Sequence, residues 1–243
     1  IAAGTIGILG DNNKPYMVKS DNRGITIDEK EFDRGGRFYD VQDVVSNLGG
    51  DKYYLIGYGQ ISGDVNEAFA LKLNNKMEIE KKYKSTEISN NDAYLRSGII
   101  SKNVFADNHL IAVGNRQLDN GNYAPYIVDI NVAKEEEIDH HVLDSSHSQD
   151  YDFANPYYNL ESIVEFNGGY LAVGFTNPTE VDRDGAEGII MLMDSEFNVG
   201  IVNTEITEKL YKIKKVNNDK CVVVGENGYI AEIDDTANII GSK

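Results

Sequence analysis

The run Leu171-Ala172-Val173-Gly174 recurs along the chain as Ile111-Ala112-Val113-Gly114 and as Val222-Val223-Val224-Gly225. Weaker copies are Tyr54-Leu55-Ile56-Gly57 and the opening Ile1-Ala2-Ala3-Gly4. The closing glycines fall at 4, 57, 114, 174 and 225, with spacings of 53, 57, 60 and 51. Such a period marks one supersecondary unit copied along the chain, each copy covering apolar surface that its neighbour cannot bury alone. A period near 55 residues exceeds that of helical-pair repeats and is close to the ~50 of four-stranded repeat units.

The copies agree beyond the tetrapeptide. Seven and six residues before the later glycines stand Gly50-Asp51, Asp107-Asn108, Asn167-Gly168 and Asn218-Asp219, residues suited to the positive φ of tight hairpins. Upstream lie candidate strands at Val41 to Val45, Ser97 to Val104, Leu160 to Phe166 and Leu210 to Val216. Downstream, after a polar loop, come alternating runs such as Tyr16-Met17-Val18, Phe69-Ala70-Leu71 and Tyr126-Ile127-Val128. A polar turn and a short apolar segment then close each unit, as in Asp194-Ser195-Glu196-Phe197-Asn198 followed by Gly200-Ile201-Val202.

Four antiparallel strands joined by hairpins form one blade of a β-propeller. The all-β expectation is therefore a single propeller domain over 1–243, with five blades at 1–33, 34–90, 91–150, 151–205 and 206–243. The first lacks a strand, because Gly4 stands too near the start to be preceded by one. Either five blades close with a short first one, which is preferred, or the chain is a piece of a longer propeller. A continuous apolar second strand fits a position covered on both faces, and its closing glycine a place with little room for a side chain. A β-sandwich explains many short strands but not the shared register of turn and glycine. Ile206, Leu210 and Ile213 stand at helical spacing, so a short helix in 204–216 is the local alternative; 133–139 admits a helical turn.

Gly168-Gly169-Tyr170-Leu171-Ala172-Val173-Gly174, Ala70-Leu71-Lys72-Leu73-Asn74 and Met191-Leu192-Met193-Asp194-Ser195 give the chain its family likeness. It resembles β-propeller repeats of secreted or surface-anchored bacterial proteins. The resemblance covers the whole chain and implies fold more than activity. With no Trp, the chain departs from the Trp-Asp and kelch types of propeller.

Charge narrows the partners. Lys and Arg number 23 against 40 Asp and Glu, a net charge of −17. That balance excludes nucleic acid, whose binding rests on neutralising phosphates, and an anionic membrane surface. No stretch approaches the ~18 apolar residues of a spanning helix. Cys221 stands alone, which excludes an internal disulfide and a Cys-built zinc site. The start at Ile1-Ala2-Ala3-Gly4, without Met, suggests upstream processing, and an extracellular or cell-surface monomer is expected.

The loops after the motif glycines carry Asp11, Asp64, Asp119 with Tyr123, and Asp182. In propellers such loops emerge on one face, so these residues are the expected ligand-binding face for a protein or a carbohydrate. Asp182, Asp184 and Glu187 are the candidate metal ligands, since hard oxygen donors on one loop suit Ca²⁺, although the full EF-hand spacing is missing. No other cofactor and no catalytic residue is expected. The enzyme alternative is a glycoside hydrolase with paired axial acids. Asp40, Asp43, Glu161 and Glu165 are its candidate acids, and Tyr123, Tyr157 and Tyr158 its sugar platform. His140, His141 and His147 read as a surface loop, and Cys221 as a buried small hydrophobe.

Overall fold

The computed structural model describes residues 1–6, 14–32, 38–47, 49–60, 65–84, 91–101, 108–132, 134, 138–143, 157–177 and 185–243. These form nineteen strands and a single 3₁₀ turn, Glu226–Gly228. No helix among them is long and apolar enough to cross a membrane.

The strands follow the repeat. β1 (Ala2–Ile6), β2 (Lys14–Ser20) and β3 (Thr26–Glu31) make a three-stranded sheet, as the short first unit requires. β4 (Phe38–Ser46), β5 (Lys52–Gln60), β6 (Glu67–Asn74) and β7 (Ile79–Lys84) make the second sheet in simple up-and-down order. β8 (Ala93–Ser101) straddles the boundary between two compact units, Ile1–Ile100 and Ser101–Lys243. It begins at Ala93, four residues before the sequence reading placed it. The polar Tyr94 and Arg96 hide its start.

In the second unit β9 (His109–Gln117), β10 (Tyr123–Asn131) and β11 (Ile138–Val142) pair in succession. β12 (Tyr157–Phe166), β13 (Gly169–Asn177), β14 (Glu187–Met193) and β15 (Val199–Ile206) form the next sheet, joined to β10 by one parallel pair, Tyr123 with Tyr157. β16 (Leu210–Lys215), β17 (Cys221–Gly225), β18 (Ile230–Ile233) and β19 (Ile239–Ser242) form the last.

Consecutive sheets share cores. In the first unit Met17 and Phe32 of the first sheet pack with Val41, Leu55, Phe69 and Leu71 of the second. In the second unit Phe166, Leu171 and Ile190 pack with Leu210, Ile213, Val223 and Ile233. β6, β9 and β10 are consequently buried on both faces. The last sheet differs from that expectation. β17 and β18 alternate, with Val224 and Ile230 exposed, because packing covers only the face that carries Cys221, Val223 and Ala231.

The motif glycine has a steric origin. Opposite Gly57, Gly174 and Gly225 the first strands carry a one-residue bulge, at Gln42, Glu161 and Tyr211. A Cβ on Gly174 would stand 1.8 Å from the Asn159 carbonyl oxygen, one on Gly57 2.0 Å from that of Asp40, and one on Gly225 2.4 Å from that of Lys209. The bulge also accounts for the helix-like spacing. Both Leu210 and Ile213 face the core because the extra residue shifts the strand's period of two. The segment proposed as a helix is therefore β15 and β16. The 133–139 segment lies largely outside the described residues, and β11 starts at Ile138.

The turn after the third strand recurs as well. Asn74, Asp194 and Asp234 each accept, through Oδ1, the backbone N–H groups two and four residues on. Met77, Phe197 and Ala237 occupy the fourth position at φ of 57°, 64° and 62°, with their side chains buried. Burial of an apolar plug offsets a left-handed conformation that L-residues disfavour.

Candidate functional site

The bulge creates a repeated contact between consecutive sheets. Twice, the residue after a motif glycine meets, on the next first strand, the residue whose carbonyl abuts the next such glycine: Thr5 meets Asp40, and Phe175 meets Lys209. In the first unit Thr5 Oγ1 donates to Asp40 Oδ1 at 3.0 Å and accepts from Val41 N at 2.8 Å. At the next station the Tyr58 and Tyr94 rings meet edge-on, 4.7 Å apart. In the second unit Lys209 Nζ lies over the Phe175 ring at 5.7 Å. Asn115 and Asn159 hold the equivalent positions on β9 and β12.

Around Tyr58 and Tyr94 the first unit builds a polar cluster. Tyr58 donates to Asp40 Oδ2 at 2.8 Å, and Tyr94 to Asp92 Oδ2 at 3.1 Å. Asp92 Oδ1 also accepts from Asn66 N at 2.7 Å. The Arg96 guanidinium lies over both rings, at 5.1 and 5.7 Å, and its Nη1 donates to Gln42 Oε1 at 3.3 Å. Burial, and then the bond to Asp40, raise the Tyr58 phenol above its ordinary pKa. Asp43 ties the first strands together by accepting from Ser97 Oγ at 2.6 Å and Gly98 N at 3.3 Å. Asp40 and Asp43, candidate acids of the hydrolase alternative, serve here as ties between strands.

In the second unit the same strand ends carry a row of part-exposed rings. Tyr123 and Tyr157 lie 5.1 Å apart, and Tyr157 stacks on Phe175 at 6.1 Å and 18°. Lys209 extends the row beyond Phe175 and reaches Glu226 at 4.0 Å. On the same strand sides as the rings, Asn115 and Asn159 are 0% and 1% exposed. Asn159 Nδ2 donates to Glu161 Oε1. Both amide atoms of Asn115, and Oδ1 of Asn159, have no partner among the described residues. Burial of three such atoms is unusual, because buried polar groups are nearly always satisfied.

Of the expected ligand face, Asp119 is exposed at the tip of the hairpin leading into Tyr123, closed by Leu118 N donating to Asn122 O at 2.7 Å. Asp11, Asp64, Asp182 and Asp184 lie outside the described residues. Glu187 is exposed on β14 opposite Thr176, and no group of three His, Cys, Asp or Glu able to hold a metal occurs among the described residues. Of the proposed sugar platform, Tyr123 and Tyr157 come together. Tyr158 is 1% exposed and belongs to the core. Adjacent residues on a strand face opposite ways, and Tyr157, at the start of β12, faces Tyr123 and stays part-exposed.

The opposite strand ends of the second unit hold a buried polar group. His109 Nδ1 and Asp129 Oδ1 lie 2.6 Å apart, and Ser101 Oγ donates to Glu165 Oε2 at 3.1 Å. Burial raises the Asp129 carboxyl, while its bond to His109 opposes the shift. Tyr170, bonded to Ser101 and stacked on Phe197, is pushed up to about 12 by burial. His140 bonds Tyr126 and His141 packs on Phe197, while His147 lies outside the described residues. Cys221 is fully buried, and its thiol is raised to about 11 by desolvation.

Sequence reasoning missed Tyr58, Tyr94, Arg96, Asn115, Asn159, Phe175 and Lys209. For Tyr58, Asn115, Phe175, Asn159 and Lys209 the signal was present in the repeat register: the first three directly follow a motif glycine, and the last two precede a bulge by two residues.

No protein-family model and no curated protein sequence matches the chain. Solved structures do match in fold. A Dos1 propeller superposes with a TM-score of 0.54 at 10% identity, over 95% of this chain and 52% of that one. An apocarotenoid oxygenase from Synechocystis gives 0.52 at 11% identity, over 95% and 55%. Its cobalt-substituted form gives 0.53 at 10%, over the same shares. The chain spans about half the length of these structures. At such identities the likeness shows the fold alone: the chain is an all-β protein of propeller type.

Proposed function

We propose that this chain is a non-catalytic binding module that receives a carbohydrate or a protein on the aromatic edge formed by Tyr123, Tyr157 and Phe175. The observation that carries this reading is the contiguity of three part-exposed rings at one end of the second unit. Ring faces offer large contact area at low entropic cost, and Lys209, Asp119 and Glu226 give the edge a polar border. Loop ends carried on paired strands suit recognition.

The placement of acids in the second unit supports binding over hydrolysis. Glu161 and Glu165 stand four residues apart on one strand, on the order of 13 Å by strand rise. Glycosidase pairs stand about 5–9.5 Å apart. Glu165 is further occupied by Ser101. A location outside the cell or on its surface belongs to the same proposal, in line with the sequence likeness to surface-anchored repeats.

Glycan and peptide arrays probed with the full chain test this, followed by product analysis on every bound glycan. The expected result is binding without turnover that Tyr157→Ala weakens about tenfold, roughly 1.4 kcal/mol. Glycan cleavage would remove the non-catalytic reading. Binding indifferent to both Tyr157→Ala and Phe175→Ala would remove the edge.

A further inference from the structure

Three of the four stations between consecutive sheets are closed by their own residues: Thr5 bonds Asp40, Tyr58 meets Tyr94, and Phe175 meets Lys209. The Asn115 and Asn159 station is open. Its two side chains are more than nine-tenths buried, yet three of their amide atoms have no partner among the described residues. Beyond the bond from Asn159 Nδ2 to Glu161, these amides return nothing to the described fold, and burying the three atoms costs stability.

The surroundings show what the amides face. On β12 and β13, Asn159 is paired with Phe175 and shares a strand side with Tyr157, two residues away. On β9 and β10, Asn115 is paired with Pro125 and shares its side with the Gln117 and Tyr123 pair. β9 packs against β12, and Tyr123 touches Tyr157, so both asparagines share strand sides with the ring row.

We propose that Asn115 and Asn159 form the recognition floor for a neutral saccharide, whose hydroxyl groups supply the partners that these amides lack among the described residues. The inference rests on the binding reading of the aromatic edge and names the ligand class it takes. Asn115 offers N–H donors and a carbonyl acceptor, and Asn159 a second carbonyl. A hydroxyl both donates and accepts, and so answers both kinds of group. A carboxylate or phosphate would face two amide carbonyls and the neighbouring Glu161; an ammonium would face the Asn115 N–H groups. Tyr123, Tyr157 and Phe175 supply apolar ring faces for the C–H side of a sugar. The amides are buried, so a hydroxyl reaches them when the Tyr157 ring swings aside.

The test titrates the full chain with neutral trisaccharides of glucose, galactose, mannose and N-acetylglucosamine by calorimetry, alongside thermal denaturation. Asn115→Leu, Asn115→Ala and Asn159→Ser are compared with the unmodified chain. At least one trisaccharide is expected to bind, with affinity lowered about tenfold or more in each variant while Tm is unchanged or raised. Asn159→Ser keeps the test decisive if Asn115→Leu does not fold.

Failure of all four trisaccharides to bind overturns the inference, as does binding within about twofold of the unmodified chain with a lowered Tm, the mark of an internally satisfied amide. Sugar or peptide binding that depends on Tyr157 but not on the asparagines sinks the floor and leaves the edge standing. Binding indifferent to Tyr157 sinks the edge itself.

Discussion

Substituting Gly174→Ala tests whether the motif glycine is a steric requirement of the bulge. The added methyl would sit 1.8 Å from the Asn159 carbonyl oxygen, 2.8 Å from its carbon and 2.9 Å from Leu160 Cα, where ordinary contact begins at 3.4 Å. β12 must therefore retreat by about 1.6 Å from β13, and its obstruction is backbone, which has no rotamer to change. Ordinary overpacking costs about 1–3 kcal/mol; with ladder hydrogen bonds also stretched, the expected loss is at least about 3 kcal/mol. At roughly 2–4 °C per kcal/mol for a chain of this size, Tm should fall by about 6–12 °C.

Gly57→Ala, at 2.0 Å, should behave similarly, and Gly225→Ala, at 2.4 Å, more mildly. Gly200→Ala is the control. It is exposed, and its nearest neighbour is Leu192 O at 3.8 Å. It should be neutral or stabilising by up to about 1 kcal/mol through unfolded-state entropy. Urea titration and thermal melts followed by far-ultraviolet circular dichroism give the values. Gly174→Ala within about 1 kcal/mol of the unmodified chain, or no more harmful than Gly200→Ala, refutes the steric account.

Phe197→Ala should cost about 3–4 kcal/mol through lost burial against Tyr170 and His141. Phe197→Gly should be no worse, since glycine relieves the φ of 64°; a glycine variant clearly less stable in urea contradicts the plug account. Cys221 should resist a disulfide reagent at pH 8 until urea unfolds the chain, because its buried thiol titrates near 11; rapid native labelling contradicts this. Asp129 has a raised native pKa, so the native state holds its proton more tightly than the unfolded chain, and stability falls as pH rises from about 3.8 through the native value. The stability of Asp129→Asn relative to the unmodified chain should accordingly grow over that interval in urea titrations; a difference that is flat with pH refutes burial as the dominant cause.

The repeat itself was legible before any coordinates. Glycines at fixed spacing, turn residues six and seven positions ahead and apolar runs on either side identify sheets of four strands, because side-chain alternation and turn chemistry are local. Leu210 and Ile213 misled for a related reason. Their spacing of three looks helical, and only the pairing of β16 with β17 reveals a bulge that moves both to one face.

The sequence by itself determined the order of strands, the short first sheet and the hairpin turns, since each depends on residues near one another in the chain. Tertiary structure alone decided which side chains become a site. Tyr123 and Tyr157 lie far apart in the chain and meet because β10 and β12 pair at that point, while Tyr158, next along the chain, is turned into the core. Asn115 and Asn159 are ordinary polar residues in sequence. Their interest comes from burial with three amide atoms unpartnered among the described residues, and burial is a property of what packs from elsewhere.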